Sequence, residues 1–247
     1  MSESNISEAS TASIAACKAQ LAERGWTILS RELLRDGPRP ALAHFGRIVP
    51  QFNGEETYEV TLKPGFEKLP FSQSKNSIGP HTEAPVYDPP PKYLALHCHR
   101  QAQCGGGQTL LADGFAFYAS LSPELKAWAD QNEVVFTASA MPGAERRLHR
   151  TRLLEEKDGA RLFRFSYNQF RFGDVNPSEG DLAAGGGQSA QTPLGRIAEC
   201  GEKFFYEHMI QVLIPEGSIL IWDNQRLMHA RSKYSDPVRH LTRYWLD

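Results

Sequence analysis

The stretch Ile78-Gly79-Pro80-His81-Thr82-Glu83-Ala84-Pro85 places an imidazole and a carboxylate two positions apart. Along an extended segment side chains alternate, so His81 and Glu83 share one face and Thr82 takes the other. One imidazole nitrogen and one carboxylate oxygen on a common face suit a divalent metal, iron among others. Gly79, Pro80 and Pro85 limit the strand to a short segment, as at the rim of a barrel. Such a pair alone is more often structural. Metal chemistry needs a third ligand and a co-substrate site from elsewhere in the chain.

His229 is the candidate third ligand. It stands in Trp222-Asp223-Asn224-Gln225-Arg226-Leu227-Met228-His229-Ala230-Arg231, after a strand and a polar turn, 148 positions beyond His81. Two histidines and one carboxylate would occupy one triangular face of iron and leave three positions open for a co-substrate and oxygen. Arg239 and Arg243 follow. A guanidinium grips a carboxylate through two parallel hydrogen bonds and keeps its charge, and the Thr109 hydroxyl can reach the same oxygens. A divalent cation, one ligand carboxylate, a dianionic keto acid and one arginine sum to zero. That balance makes burial tolerable.

These residues need a scaffold. Ile14, Cys17 and Leu21 recur at helical spacing from Ser13, and Gly25 offers a stop. Trp26–Leu29 reads as a strand, and a second helix is expected from about Pro40 to Ile48 with Leu42, Phe45 and Ile48 buried. Residues 50–76 read as loop. Asp88-Pro89-Pro90-Pro91 is a stiff connector, and Tyr93–His99 alternates as a strand. Its His97 and His99 form a further H-x-H, but no carboxylate accompanies them, so they read as structural or supporting residues. The glycines of Gly105-Gly106-Gly107-Gln108-Thr109 permit a tight bend, and no lysine follows to make a phosphate loop. Asp113 and Ser122-Pro123 are helix-start signals. Val134–Ala138 and Arg161–Phe172 read as strands, 174–195 as a loop containing Gly185–Gly187, and Arg196–Glu207 as a helix. Ile210–Ile214, a Pro215-Glu216-Gly217 turn and Ser218–Trp222 read as a hairpin-like unit. His240–Leu246 is the last strand. The pattern predicts an antiparallel barrel or sandwich with helices alongside, a jelly roll in the leading version.

Composition narrows the class. The 247 residues carry 27 basic and 29 acidic side chains, a net charge of −2, with no basic block, which argues against nucleic-acid binding. Cys17, Cys98, Cys104 and Cys200 are scattered and form no C-x-x-C pair, as expected of free thiols in a reducing compartment. The Ser-rich, acidic start lacks the features of a signal peptide, and no apolar run has the length of a membrane span. The expectation is a cytoplasmic protein with a disordered tail over residues 1–12 and one domain over 13–247.

His81-Thr82-Glu83, Gly106-Gly107-Gln108-Thr109 and Trp222-Asp223-Asn224, followed by His229, Arg239 and Arg243, resemble in order and spacing the taurine dioxygenase (TauD/TfdA-like) family of Fe(II)/2-oxoglutarate oxygenases, over roughly residues 75–245. The resemblance implies a mainly β fold with flanking helices, the double-stranded β-helix (jelly roll) of clavaminate synthase-like proteins. It implies Fe(II) held by His81, Glu83 and His229, with 2-oxoglutarate and O2 as co-substrates. Arg239, with Thr109, would anchor the carboxylate of 2-oxoglutarate remote from the metal. Arg243 matches the second arginine of the family, which reaches the near carboxylate or an anionic substrate. Phe165, Tyr167, Asn168 and Phe170 lie where the family often builds a substrate wall, with core packing the competing role for the aromatics. Halogenating relatives carry a small residue in the carboxylate position, so Glu83 argues against halogenation, because no coordination position is freed for chloride.

The implied reaction is oxidation, with hydroxylation the leading outcome, of a small carboxylate-bearing or amino-acid-like molecule, releasing succinate and CO2. Specialised metabolism is the expected setting, and homo-oligomers are common in the family. Arg231 shares a strand face with His229 and is expected in a structural ion pair. Trp222 and Asp223 are expected to support the fold. Two other classes stay open: a metal-dependent enzyme of a different class on a cupin-like barrel, and a non-catalytic jelly-roll binding module. The first would not need Arg239 and Thr109; the second would never consume 2-oxoglutarate.

Overall fold

A computed structural model describes residues 13–64, 72, 74, 78–138, 146–157, 159–177, 179–183 and 191–247; the expected tail at 1–12 and Gly185–Gly187 lie outside these residues. The strands in chain order are β1 (Trp26–Leu29), β2 (Ile48–Val49), β3 (Tyr58–Thr61), β4 (Ile78–His81), β5 (Tyr93–Arg100), β6 (Thr109–Asp113), β7 (Val134–Thr137), β8 (Leu148–Thr151), β9 (Leu154–Lys157), β10 (Ala160–Phe163), β11 (Ile210–Val212), β12 (Ile219–Asp223), β13 (Leu227–Arg231) and β14 (His240–Leu246). The helices are α1 (Ile14–Arg24), α2 (Pro38–Leu42), α3 (Gly114–Ser120), α4 (Pro123–Gln131), α5 (Tyr167–Phe172), α6 (Glu179–Ala183) and α7 (Pro193–His208).

Local signals explain the helix ends. Ser13, Asp113, Ser122 and Thr192 each accept a hydrogen bond from a first-turn backbone N–H, and Gly25 closes α1 at φ 84°. Two antiparallel sheets form the centre. The larger runs β1-β12-β5-β14-β2, with β3 also on β14, and the smaller runs β11-β6-β13-β4. Leu94, Leu96 and Cys98 of β5, Leu220 and Trp222 of β12, and Leu241 and Trp245 of β14 pack between the sheets against Leu111 and Leu227. Alternation sends Ala95, Ile219, Ile221 and Tyr244 to the opposite face, where Cys17, Leu21 and Leu42 cover them. Outside the smaller sheet, Leu110, Ala112, Met228 and Ala230 pack with Phe117, Phe163, Phe165, Phe170 and Phe205. This is a jelly roll with helices on both outer faces.

Five expectations about elements need correction. The helix placed at about Pro40 to Ile48 stops at Leu42. A turn follows, and Gly46 sits so close to the Asp247 carbonyl that a Cβ there would lie 2.5 Å from it. Ile48 and Val49 instead pair with Leu246 and Trp245. The run 50–76 contains strand β3, which pairs with β14. The strand read over Arg161–Phe172 ends at Phe163. Ser166 then caps α5 and Gly173 ends it at φ 81°. The loop read at 174–195 holds α6 and the start of α7. The hairpin read at 210–222 does not form: β11 joins β6 in the smaller sheet, whereas β12 joins β1 and β5 in the larger. Its turn is a crossing between sheets, held by Gly217 N–H donating to the Cys98 carbonyl at 2.7 Å. Among the described residues no helix is long and apolar enough to cross a membrane.

Candidate active site

His81 ends β4 and pairs directly across the sheet with His229 of β13, so register alone sets the two rings side by side, centroids 4.1 Å apart. Glu83 lies just past the strand. Thr82, 1% exposed, turns the other way: its N–H donates to the Phe165 carbonyl at 2.9 Å and its hydroxyl accepts from the Phe165 N–H at 3.0 Å. That anchor leaves Glu83 on the side of His81. Glu83 Oε2 is 4.0 Å from His81 Nε2 and 3.8 Å from His229 Nε2, and the three donor atoms all lie within 4.8 Å of one another.

The backbone of Glu83 is clamped by a residue whose role the sequence did not declare. Asn224, fully buried, accepts from Glu83 N–H at 2.7 Å and donates to the Glu83 carbonyl at 3.1 Å and to the Pro91 carbonyl at 3.0 Å. Ala84 next to it takes φ 52°, a conformation that an L-residue holds only when its surroundings enforce it. Asp223 binds Lys92 at 2.7 Å, in keeping with its expected supporting role. The tripeptide Trp222-Asp223-Asn224 is therefore the hinge pin of the carboxylate segment.

Both imidazoles are held neutral. Burial lowers the His81 pKa and lowers that of His229 further, with His81 and Arg243 adding to the effect on His229. A neutral ring is the form that ligates metal. With Nδ1 protonated, His81 donates to the Gly79 carbonyl at 2.9 Å, leaving the Nε2 lone pair toward Glu83.

Beyond these groups lies a cavity of about 70 Å³ lined by Val60, Ile78, Leu94, Leu96 and Trp222 on its apolar side, with Thr109, Arg231, Arg239 and Arg243 supplying polar atoms. Thr109 faces Arg231 across the β6–β13 pair. Arg239 is 1% exposed, its Nε donates to the Gly107 carbonyl at 3.1 Å, and its Nη1 is buried without a partner among the described residues. Gly107, at φ 76°, leaves the room: a Cβ there would stand 2.9 Å from Arg239. The glycine run thus serves the approach of an arginine rather than of a phosphate. Arg243 Nη1 binds Glu83 Oε1 at 2.8 Å, while Nη2 is buried without a partner among the described residues. Arg231 donates to the Ser72 carbonyl at 2.8 Å and burial lowers its pKa to about 9.

The structure divides the residues expected as a substrate wall. Phe165 and Phe170 are fully buried in the aromatic core outside the smaller sheet. Tyr167 and Asn168 instead sit over Gly79, where a Cβ would lie 3.0 and 3.1 Å from their side chains, next to the His81 strand. His97 and His99 are on the outward face of β5, with His99 Nε2 2.7 Å from Thr242 Oγ1, across the sheet from the cavity.

The residues fit a divalent metal with a dianionic keto acid. Three neutral or anionic donors converge, and two buried guanidinium nitrogens await acceptors at a cost of roughly 1–3 kcal/mol each while unpaired. Comparison with known proteins agrees. The model of the taurine catabolism dioxygenase TauD, TfdA family matches residues 4–245. No curated protein matches the chain in sequence. Among solved structures, an asparagine oxygenase in complex with Fe(II), 2S,3S-3-hydroxyasparagine and succinate is similar at TM-score 0.69 and 14% identity, over 94% of this chain and 78% of that one. The non-heme iron oxygenase OrfP with Fe and alpha-ketoglutaric acid is similar at TM-score 0.63 and 18% identity, over 93% and 77%. OrfP with Fe, succinate and (3R,4R)-dihydroxy-L-Arg is similar at TM-score 0.64 and 18% identity, over 93% and 78%.

Proposed function

The chain belongs to the taurine catabolism dioxygenase TauD, TfdA family, and from that premise we propose that it hydroxylates a small, carboxylate-bearing, amino-acid-like molecule. It is an Fe(II)- and 2-oxoglutarate-dependent dioxygenase. When bound, iron supplies the oxidising chemistry with 2-oxoglutarate and dioxygen, and succinate and carbon dioxide leave.

The protein's own part is positioning. His81, Glu83 and His229 would hold the metal through two neutral imidazoles and one carboxylate. Arg239, its Nε donating to the Gly107 carbonyl, would take the remote carboxylate of 2-oxoglutarate together with Thr109. Leu94, Leu96, Val60 and Trp222 keep water away, which strengthens each charge interaction inside. Tyr167 and Asn168 stand over Gly79 of the His81 strand and are the candidates for substrate contact. The observation that carries this reading is the buried Nη1 of Arg239, without a partner among the described residues, in the same cavity as the three candidate metal donors. The substrate class rests on the surplus of guanidinium over carboxylate in that cavity, and on the hydroxylated amino acids bound in two of the similar structures.

Anaerobic titration of apo-protein with Fe(II) and then 2-oxoglutarate tests the assignment through the visible charge-transfer band of the chelate. The native protein should show the band, and His229→Ala should abolish it. Arg239→Ala should need on the order of a hundredfold more 2-oxoglutarate, the equivalent of about 2–3 kcal/mol of charge-assisted hydrogen bonding. Folded, iron-loaded protein without a band would overturn the co-substrate assignment and favour a metalloenzyme of another class.

A further inference from the structure

Arg243 is held at two of its three guanidinium nitrogens. Its Nη1 binds Glu83 Oε1 at 2.8 Å and its Nε donates to Gln51 Oε1 at 2.9 Å. The rings of Tyr58, Phe52 and Trp245 stand 4.8, 5.7 and 5.7 Å from the guanidinium. Gln51 is 4% exposed and uses both ends of its amide on the same residue, because its Nε2 donates to the Arg243 carbonyl at 2.9 Å. The Gln51 backbone is pinned in turn: its N–H donates to the Glu55 carbonyl at 2.8 Å and its carbonyl accepts from Gly54 N–H at 2.9 Å. A neutral, doubly engaged amide therefore sets the rotamer of a charged side chain that in turn grips the ligand carboxylate.

We propose that Gln51 is a positioning residue for the metal centre: through Arg243 it holds Oε1 of Glu83 aside and leaves Oε2 alone to face the two imidazoles. The geometry is that of a single-oxygen ligand. Oε2 points at His81 and His229, whereas Oε1 is occupied by the guanidinium. An arginine so enclosed is committed to the ligand carboxylate, and its Nη2 is without a partner among the described residues. Glutamine suits position 51 for a chemical reason. A carboxylate there would accept from Nε but could not donate to the backbone, and its charge would compete with Glu83 for Arg243.

The inference rests on the proposed metal centre, and Co(II) binding separates the two. Co(II) is titrated into native protein, Gln51→Met, Arg243→Met and the double variant, with the visible spectrum and the apo-protein melting temperature recorded for each. Gln51→Met keeps the charge at 243, so any change comes from positioning. It should bind Co(II) about 10- to 100-fold more weakly, with an altered spectrum, as for loss of other partners that orient metal ligands. In the Arg243→Met background the same substitution should change neither affinity nor spectrum further. Should Gln51→Met not fold, Gln51→Asn, whose shorter amide cannot reach both ends of Arg243, takes its place with the same expectation. Native affinity and spectrum in the Gln51 variant, or a full second loss in the double variant, would overturn the proposal. Failure of the native protein to bind Co(II) at all would overturn the metal centre itself.

Discussion

Glu83 is constrained at both ends: Asn224 fixes its backbone, Arg243 takes one carboxylate oxygen and two imidazoles face the other. The histidines beside it carry a consequence for pH. Burial holds both imidazole pKa values below the ordinary value of about 6.5. Protons compete with metal less at a given pH when the pKa values are lowered, so Fe(II) affinity should fall by clearly less than tenfold as pH drops from about 7 to 6. Two ordinary imidazoles would lose about tenfold over that interval by proton competition. Anaerobic Fe(II) titrations at the two pH values decide it, and a tenfold loss would show that the rings titrate as exposed ones do. At this scale the sequence was legible where chemistry is local. His81 and Glu83 sit two apart in sequence, and the structure brings both beside His229 as the residue types suggest for a proposed metal centre. Gln51 was not legible, because nothing periodic surrounds it and its partner lies 192 positions away. Arg243 was half legible: its charge could be read, but which of several acceptors it meets is set by the pairing of β14 with β3 and β5.

Elements succeed or fail in the reading according to whether their signal is local. Caps at Ser13, Asp113 and Ser122 need only their own turn, and those helices start as expected. The aromatic alternation after Arg161 fits a strand and a short buried helix equally well, and Ser166 with Gly173 decides for the helix. The stretch 210–222 reads as a hairpin because nothing local says that two strands flanking a turn belong to different sheets. Helix α7 links this outer layer to the site. It buries Ile197, Ala198, Gly201 and Phe205 along one stripe. A Cβ at Gly201 would lie 2.4 Å from Cζ of Phe165, whose backbone holds Thr82 between the two ligands. Alanine gains about 1 kcal/mol in helix propensity but overpacks a rigid ring by roughly 1–3 kcal/mol. Gly201→Ala should therefore lower the melting temperature by a few degrees, on the order of 2–4 °C per kcal/mol at this size, and weaken Fe(II) binding with it. A melting temperature at or above native would show that Phe165 moves aside freely.

Taken whole, the molecule gathers its site from distant parts of the chain. His81 meets His229 through β4 and β13, Glu83 is held by Asn224 at a separation of 141 positions, and Arg243 by Gln51 at 192. Jelly-roll pairing of this kind is slow to form, because loop closure must precede the contacts that reward it. In refolding from urea with Co(II) present, the metal spectrum should rise with the rate constant of the tryptophan signal from Trp222 and Trp245, both buried between the sheets. Metal absorption that precedes the tryptophan signal would mean that a local fragment already binds. The pairing of His81 directly opposite His229 thus has a consequence for the life of the polypeptide. A half-folded chain holds at most one histidine and one carboxylate near each other, too little to retain a redox-active ion, so iron capture becomes a mark of completed folding.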